Sequence, residues 1–195
     1  PPFSQGNFSD VPASHPYSSA ISGMAARGII SGYDDGSFGP DKQVMRQQFA
    51  KMIVRALQLP VSTADICPFT DVSSGVDPKD PLYPNNYVAV CSAHGITQGA
   101  KTAGTFAPYA NISRAQVVTM VVRALDRLRP GLLVVPPAGY TATLGNFSPD
   151  HAGNIAKAEY NGLLADLAGF GTSWDVWRSA TRGEVAQLLW SALAL

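Results

Sequence analysis

The stretch Ala26-Arg27-Gly28-Ile29-Ile30-Ser31-Gly32-Tyr33-Asp34-Asp35-Gly36-Ser37-Phe38-Gly39-Pro40 decides the architecture, because the chain repeats it. Gly36–Pro40 is answered by Gly104-Thr105-Phe106-Ala107-Pro108, 68 positions on. The same step takes Arg46 to Arg114 to Arg182, Phe38 to Phe106 to Trp174, Ile53 to Val121 to Leu189, and Leu57 to Leu125 to Leu193. Upstream the step is 67, so Arg27-Gly28-Ile29 is answered by His94-Gly95-Ile96 and Asn161-Gly162-Leu163. Two copies open on Phe8-Ser9-Asp10-Val11 and Phe69-Thr70-Asp71-Val72, and the third on a degraded Phe147-Ser148-Pro149-Asp150. A period of this size marks a repeat architecture. The expected units are 1–60, 61–129 and 130–195, the last made of a proline-rich strap and a third copy with a degenerate start.

Each unit reads as loop, helix, turn, helix. The first helices, expected over Tyr17–Arg27, Asn86–His94 and Ile155–Asn161, stop at Gly28, Gly95 and Gly162. A glycine there is a C-terminal cap, because it enters the left-handed region without a Cβ penalty. The second helices are expected over Arg46–Leu59, Arg114–Leu128 and Arg182–Leu193. Phe49, Met52, Ile53, Ala56 and Leu57 recur at steps of three and four, one buried stripe. Ser113-Arg-Ala-Gln116 and Thr181-Arg-Gly-Glu184 fit the capping box, whereas the first copy has Met45 in place of the hydroxyl. Its cap should be weaker by about 1 kcal/mol. A unit of about 65 residues with two helices has too little apolar face to stand alone. The expected fold is therefore mainly α, with three helix–loop–helix repeats in a pseudo-threefold arrangement around a central three-helix bundle. The segment 129–145, with three prolines after Arg129, is expected to lie as an extended strap over a neighbouring repeat.

Composition narrows the function. The 195 residues carry 14 basic and 14 acidic side chains, so the net charge is zero and the field expected of a nucleic-acid binder is missing. Only 14% of residues are charged, so Ser, Thr, Asn, Gln, Gly and Pro cover much of the surface, which suits an uncharged or glycan partner. No apolar run approaches the roughly 18 residues of a membrane span. The start at Pro1-Pro2 suggests a piece excised from a longer protein. His15, His94 and His151 are scattered, and Cys67 and Cys91 lack metal-ligand spacing, so no metal or cofactor is expected. The even cysteine count points to a Cys67–Cys91 disulfide, with two buried thiols as the other reading. The bond would add about 3 kcal/mol and imply an oxidising compartment. No nucleophile elbow, zinc-protease motif or phosphate loop is present, and Glu159 and Glu184 are the only glutamates, so the chain does not read as an enzyme.

Arg46, Arg114 and Arg182 stand at first helical positions, where a cation opposes the helix dipole by a few tenths of a kcal/mol. Three such arginines call for compensating partners. A helix N-terminus with free N–H groups beside a guanidinium suits a ligand carboxylate. The other reading pairs each Arg with Asp10 or Asp71 of an opening phrase, and the two are compatible. Trp174 and Trp190 fall at core positions, whereas Trp177 aligns with Asp41 and Tyr109 and is the candidate sugar-stacking platform.

The opening phrases, ARGIISGYDDGSFGP with AHGITQGAKTAGTFAP, and the ISRAQ and ATRGE helix starts together resemble the S-layer homology domain family. The resemblance covers copies one and two along their length and copy three mainly from Ala158. It implies a three-pronged spindle at an extracellular cell surface, holding its parent protein on the wall without a covalent bond. The implied partner is secondary cell-wall polysaccharide, or a peptidoglycan-linked polymer, bound through a pyruvylated amino sugar between copies. The implied ligand residues are Arg46, Arg114, Arg182, Asp10, Asp71, Gly32, Gly99 and Trp177. Copy three has Pro149 at the aspartate position and lacks the glycine that Gly32 and Gly99 supply, so its groove is expected to be degenerate. The reading from a different class is a self-associating module of a surface lattice or filament.

Overall fold

Val44, Ile112 and Ala180, each 68 positions from the next, close a ring of backbone hydrogen bonds. Val44 N–H donates to the Ala180 carbonyl at 3.1 Å, Ala180 N–H to Ile112 at 2.8 Å, and Ile112 N–H to Val44 at 2.8 Å. Isolated bridges Met45–Asn111, Ser113–Ser179 and Gln43–Thr181 flank the ring with the same symmetry. The three repeats therefore close on themselves around a pseudo-threefold axis and do not stack in a line. The computed structural model describes residues 7–195, and the Pro1-Pro2 start lies outside the described residues.

Among the described residues six helices make up the regular structure: α1 (Ser18–Ala26), α2 (Arg46–Ala56), α3 (Asn85–Ala93), α4 (Arg114–Leu128), α5 (Ala152–Tyr160) and α6 (Arg182–Leu193). The long helices α2, α4 and α6 form the central bundle. Ile53, Val121 and Leu189, with Ala56, Ala124 and Ala192 one turn below, surround an axial void of only about 10 Å³. Burying each branched side chain stabilises the fold by roughly 1.5–3 kcal/mol. Each short helix packs on the long helix of the copy before it, α3 on α2 and α5 on α4, and α1 closes the circle on α6. Tyr17, buried at the start of α1, makes that closure specific. Its hydroxyl accepts the Ala168 N–H at 3.0 Å, and its ring occupies the space that a side chain at Gly183 would need.

The expected glycine stops are present in all three copies. Gly28, Gly95 and Gly162 have φ of 68°, 66° and 75°. Ile29, Ile96 and Leu163 then donate back to the carbonyls of Met24, Cys91 and Ala158, the long bond of a Schellman motif. The helix α2 ends three residues before the expected Leu59. Gln58 turns left-handed at φ 53° and Leu59 N–H reaches back to the Val54 carbonyl, so this end closes without a glycine, just ahead of Pro60.

Two further expectations change. The strap, expected over a neighbouring repeat, is fastened to its own, where the Asn161 amide at the end of α5 bonds both the N–H and the carbonyl of Val134. Leu133 is buried beneath it, while Val134 and Val135 face solvent. The Cys67–Cys91 disulfide receives no support, since both are free thiols. Cys91 is fully buried on α3 against the Ala50 carbonyl, 3.7 Å from its Sγ, and burial pushes its thiol pKa well up.

Candidate functional site

The three arginines at the starts of α2, α4 and α6 hold the repeats together. The Nε of Arg46 donates to the Phe106 carbonyl at 2.7 Å and its Nη2 to Gly99 at 3.1 Å. Arg182 does the same one copy round, to Phe38 and Ser31, both at 2.8 Å. Each guanidinium also lies over the aromatic ring of the copy it grips. Arg46 is 4.7 Å from Phe106, Arg114 is 4.7 Å from Trp174, and Arg182 is 4.4 Å from Phe38. Burial lowers the pKa of Arg46 and Arg182, with Asp71 and Asp10 respectively among the groups opposing it, and neither guanidinium loses its charge.

The free N–H groups expected at these helix starts are already taken. Arg46 and Gln47 donate to Ala110 and Pro108, Arg114 and Ala115 to Arg178 and Val176, and Arg182 and Gly183 to Lys42 and Pro40. The neighbouring loop feeds its carbonyls into the positive end of each dipole, leaving no backbone seat there for a carboxylate.

Asp10 and Asp71 hold the same loops from the other side. Asp10 accepts Phe38 and Gly39 N–H at 2.7 Å each, and Asp71 accepts Phe106 and Ala107 at 2.8 Å each. Among the described residues neither aspartate forms an ion pair with an arginine. Gly32 and Gly99 have packing roles, because a Cβ at either would stand 2.4 Å or 2.7 Å from the ring of Phe8 or Phe69.

Arg46, Arg182, Gly32 and Gly99 nevertheless meet at two cavities related by the pseudo-threefold axis. One, of about 320 Å³, is lined by Arg182, Gly32, Tyr33, Lys51, Arg55 and Tyr83. The other, of about 310 Å³, is lined by Arg46, Gly99, Lys101, Thr119, Arg123 and His151. In both, the Nη1 of the clamping arginine makes no hydrogen bond among the described residues. Asp80 partly spends the cations of the first, accepting Lys51 at 2.7 Å and Arg55 at 3.3 Å. In the second, the His151 Nδ1 shares a hydrogen bond with Thr119 at 2.8 Å, and burial lowers its pKa. Acidic residues also reach both rims, Asp77 in the first and Asp150 in the second.

The third groove is closed. Arg114, 8% exposed, turns its Nε and Nη2 onto the Glu184 carboxylate in a buried ion pair, with a void of only about 10 Å³ beside it. The positions of Lys51 and Arg55 become Gln187 and Ser191, so the groove also lacks the cations of the other two. Trp177 is 55% exposed and stands edge-on to Phe147 and His151, beside the second groove and not within it. Lys51, Arg55, Lys101, Arg123 and His151 were not singled out by the repeat alignment. The 68-residue step relates Lys51 to Thr119 and Arg55 to Arg123, on one face of the second helix, and that face is the signal for Lys51, Arg55 and Arg123, whereas Lys101 in a loop and His151 before α5 carry none.

The S-layer homology domain family model matches residues 7–50 and 68–118, the first two copies. The chain belongs to that family, and its role is that of a cell-surface, wall-anchoring module. Over 183 residues, 94% of this chain, it is 28% identical to S-layer protein EA1 of Bacillus anthracis, covering 20% of that protein. It is 32% identical over 153 residues to the middle cell wall protein of Brevibacillus brevis, 74% of this chain and 14% of the relative. It is 31% identical over 120 residues to the cellulosome-anchoring protein of Acetivibrio thermocellus, 62% of this chain and 26% of the relative. The chain therefore spans about a quarter or less of these relatives. No helix among the described residues is long and apolar enough to cross a membrane, and none of their side chains cluster as a metal site.

Proposed function

We propose that the first two inter-repeat grooves bind an anionic secondary cell-wall polysaccharide, through the carboxylate of a pyruvylated amino sugar. The observation that carries this reading is the pairing, twice over, of a clamped arginine with a second-helix cation: Arg182 with Arg55, and Arg46 with Arg123. Each clamping guanidinium is held by neighbouring carbonyls, so little side-chain entropy remains to be lost when an anion arrives. An arginine–carboxylate contact contributes roughly 1.5–3 kcal/mol. Gly32 and Gly99 keep the loops close, Asp10 and Asp71 hold them in shape, and Trp177 offers an exposed face near the second groove. Relatives named for S-layers and for cellulosome anchoring favour the same role, the retention of a parent protein on the wall.

The test is co-sedimentation with purified wall sacculi, before and after mild acid removal of pyruvate ketals. The comparison uses Lys51→Gln and Arg123→Gln, alone and together, because neither side chain belongs to an arginine clamp, and Arg55 still pairs with Asp80 when the Lys51–Asp80 contact is lost. The double variant is expected to melt near the wild-type temperature and to lose at least tenfold in binding, and depyruvylated sacculi should lose the protein. Unchanged binding by a folded double variant overturns the reading. Concentration-dependent assembly without any glycan would favour a self-associating lattice module instead.

A further inference from the structure

A cavity of about 620 Å³ lies at the opposite end of the bundle from the clamping arginines. Three arginines from three helix ends line it: Arg27 after α1, Arg55 in the last turn of α2, and Arg129 after α4. Leu57, Gln58 and Leu193 supply the rest of the wall used here, and no carboxylate lines it. Arg55 is partly spent on Asp80 at 3.3 Å, but Arg27 and Arg129 have no carboxylate partner among the described residues. Arg27 is instead held over the Trp190 ring at 4.7 Å, and Gly23 leaves the room that ring needs.

We infer that this cavity is a second anion site, built for a phosphate group. Three guanidiniums arriving from separate elements can each fork onto a different pair of oxygens of a tetrahedral phosphate, whereas a carboxylate offers two oxygens in one plane. The cavity also adjoins the first groove, since Arg55 and Ile29 line both. From Arg182 past Lys51 and Arg55 to Arg27 and Arg129, cations follow α2 from its N-terminal to its C-terminal end, about 15 Å at 1.5 Å per residue. A polymer with repeated negative charge could lie along that track, a consequence that rests on the groove reading above, while the phosphate site itself does not. Arginines at helix ends also suit the macrodipole, but that role needs no shared cavity.

The probe is inorganic tripolyphosphate, followed by amide shifts in nuclear magnetic resonance at fixed ionic strength. Shifts are expected at Gly28, Gln58 and Leu59, and the Arg27→Gln/Arg129→Gln variant should need at least tenfold more ligand to reach half-saturation. No shift at these amides, or a folded double variant that titrates like the wild type, overturns the site. Equal shifts from acetate at matched charge overturn the phosphate assignment. A lower melting temperature in the variant with unchanged titration would leave only the dipole role and likewise overturn it. If tripolyphosphate binds as expected while the wild type ignores sacculi, the groove reading fails and this site stands.

Discussion

Asp10 and Arg182 grip opposite ends of one residue: Asp10 accepts the N–H of Phe38, and Arg182 donates to its carbonyl. The aspartate comes from the start of copy one and the arginine from copy three, 172 positions later. The same relation joins Asp71, Phe106 and Arg46. These residues keep the loops in place and so position the grooves between repeats.

Replacing Arg182 with Ala leaves the Phe38 and Ser31 carbonyls without their charged donor and removes the packing on the Phe38 ring. A loss of about 2–4 kcal/mol is expected from two bonds to a charged group. Arg182→Lys should recover less than half of it, because an ammonium cannot reach both carbonyls and stack at once. Urea denaturation of the two variants checks this. It also explains why arginine-to-alanine changes confuse stability with binding, and why groove-lining cations make the cleaner binding test.

Burial works to raise the Asp10 carboxyl, but the N–H groups of Phe38 and Gly39 outweigh it and hold its pKa below 3.8. A carboxyl lowered on folding contributes stability that is fully present above its unfolded pKa and is lost as pH falls through the folded one. Asp10→Asn keeps one acceptor and loses the charge. At neutral pH it should cost about 1 kcal/mol, or roughly 2–4 °C in a chain of this size. The gap to wild type should narrow as pH drops below 3.8, and a gap that stays constant in thermal melts from pH 6 to 2.5 would contradict this.

The repeat was legible from its fixed step of 67 to 68 residues, and the glycine stops and the stripe at Phe49, Ile53 and Leu57 because each depends on spacing within a few turns. The partners of the arginines were not. Arg46 and Arg182 bond to backbone carbonyls, which any residue carries, on copies 53 to 151 positions away. The Asn161–Val134 amide pair that redirects the strap is equally silent, since nothing local distinguishes that asparagine from a helix-end residue facing water. The free thiols leave the argument from parity without support, since parity takes no account of where Cys91 points.

Cys91 is fully buried, and burial raises its thiol pKa; Cys67 is half-buried and also raised, again chiefly by burial. The thiolate is the reactive form, so both should react slowly with an alkylating reagent near neutral pH. Intact mass should show no rapid double alkylation of the native protein and two additions after denaturation without reductant. Prompt native labelling at Cys91 would contradict its place on α3. A reductant should leave the melting temperature unchanged, against the shift that losing a disulfide would cause.

Glu184→Gln tests whether the third groove is closed by one charge. Gln48 and Gln116 occupy the same position in the other copies, and each keeps its capping bond, Met45 N–H to Gln48 at 2.9 Å and Ser113 N–H to Gln116 at 3.0 Å. The substitution should therefore preserve the cap at Thr181 and remove only the carboxylate from Arg114. Breaking a buried pair by removing its partner costs about 3–5 kcal/mol, and the amide oxygen, still able to accept from Arg114, should hold the loss to the lower half of that range or below it. Arg114 would then resemble Arg46 and Arg182, but Gln187 and Ser191 still stand where the first groove has Lys51 and Arg55. Sacculus binding is accordingly expected to stay within twofold of wild type. A gain of several fold would mean that the clamping arginine suffices and that the second-helix cations are dispensable, which the Lys51→Gln/Arg123→Gln variant would show independently.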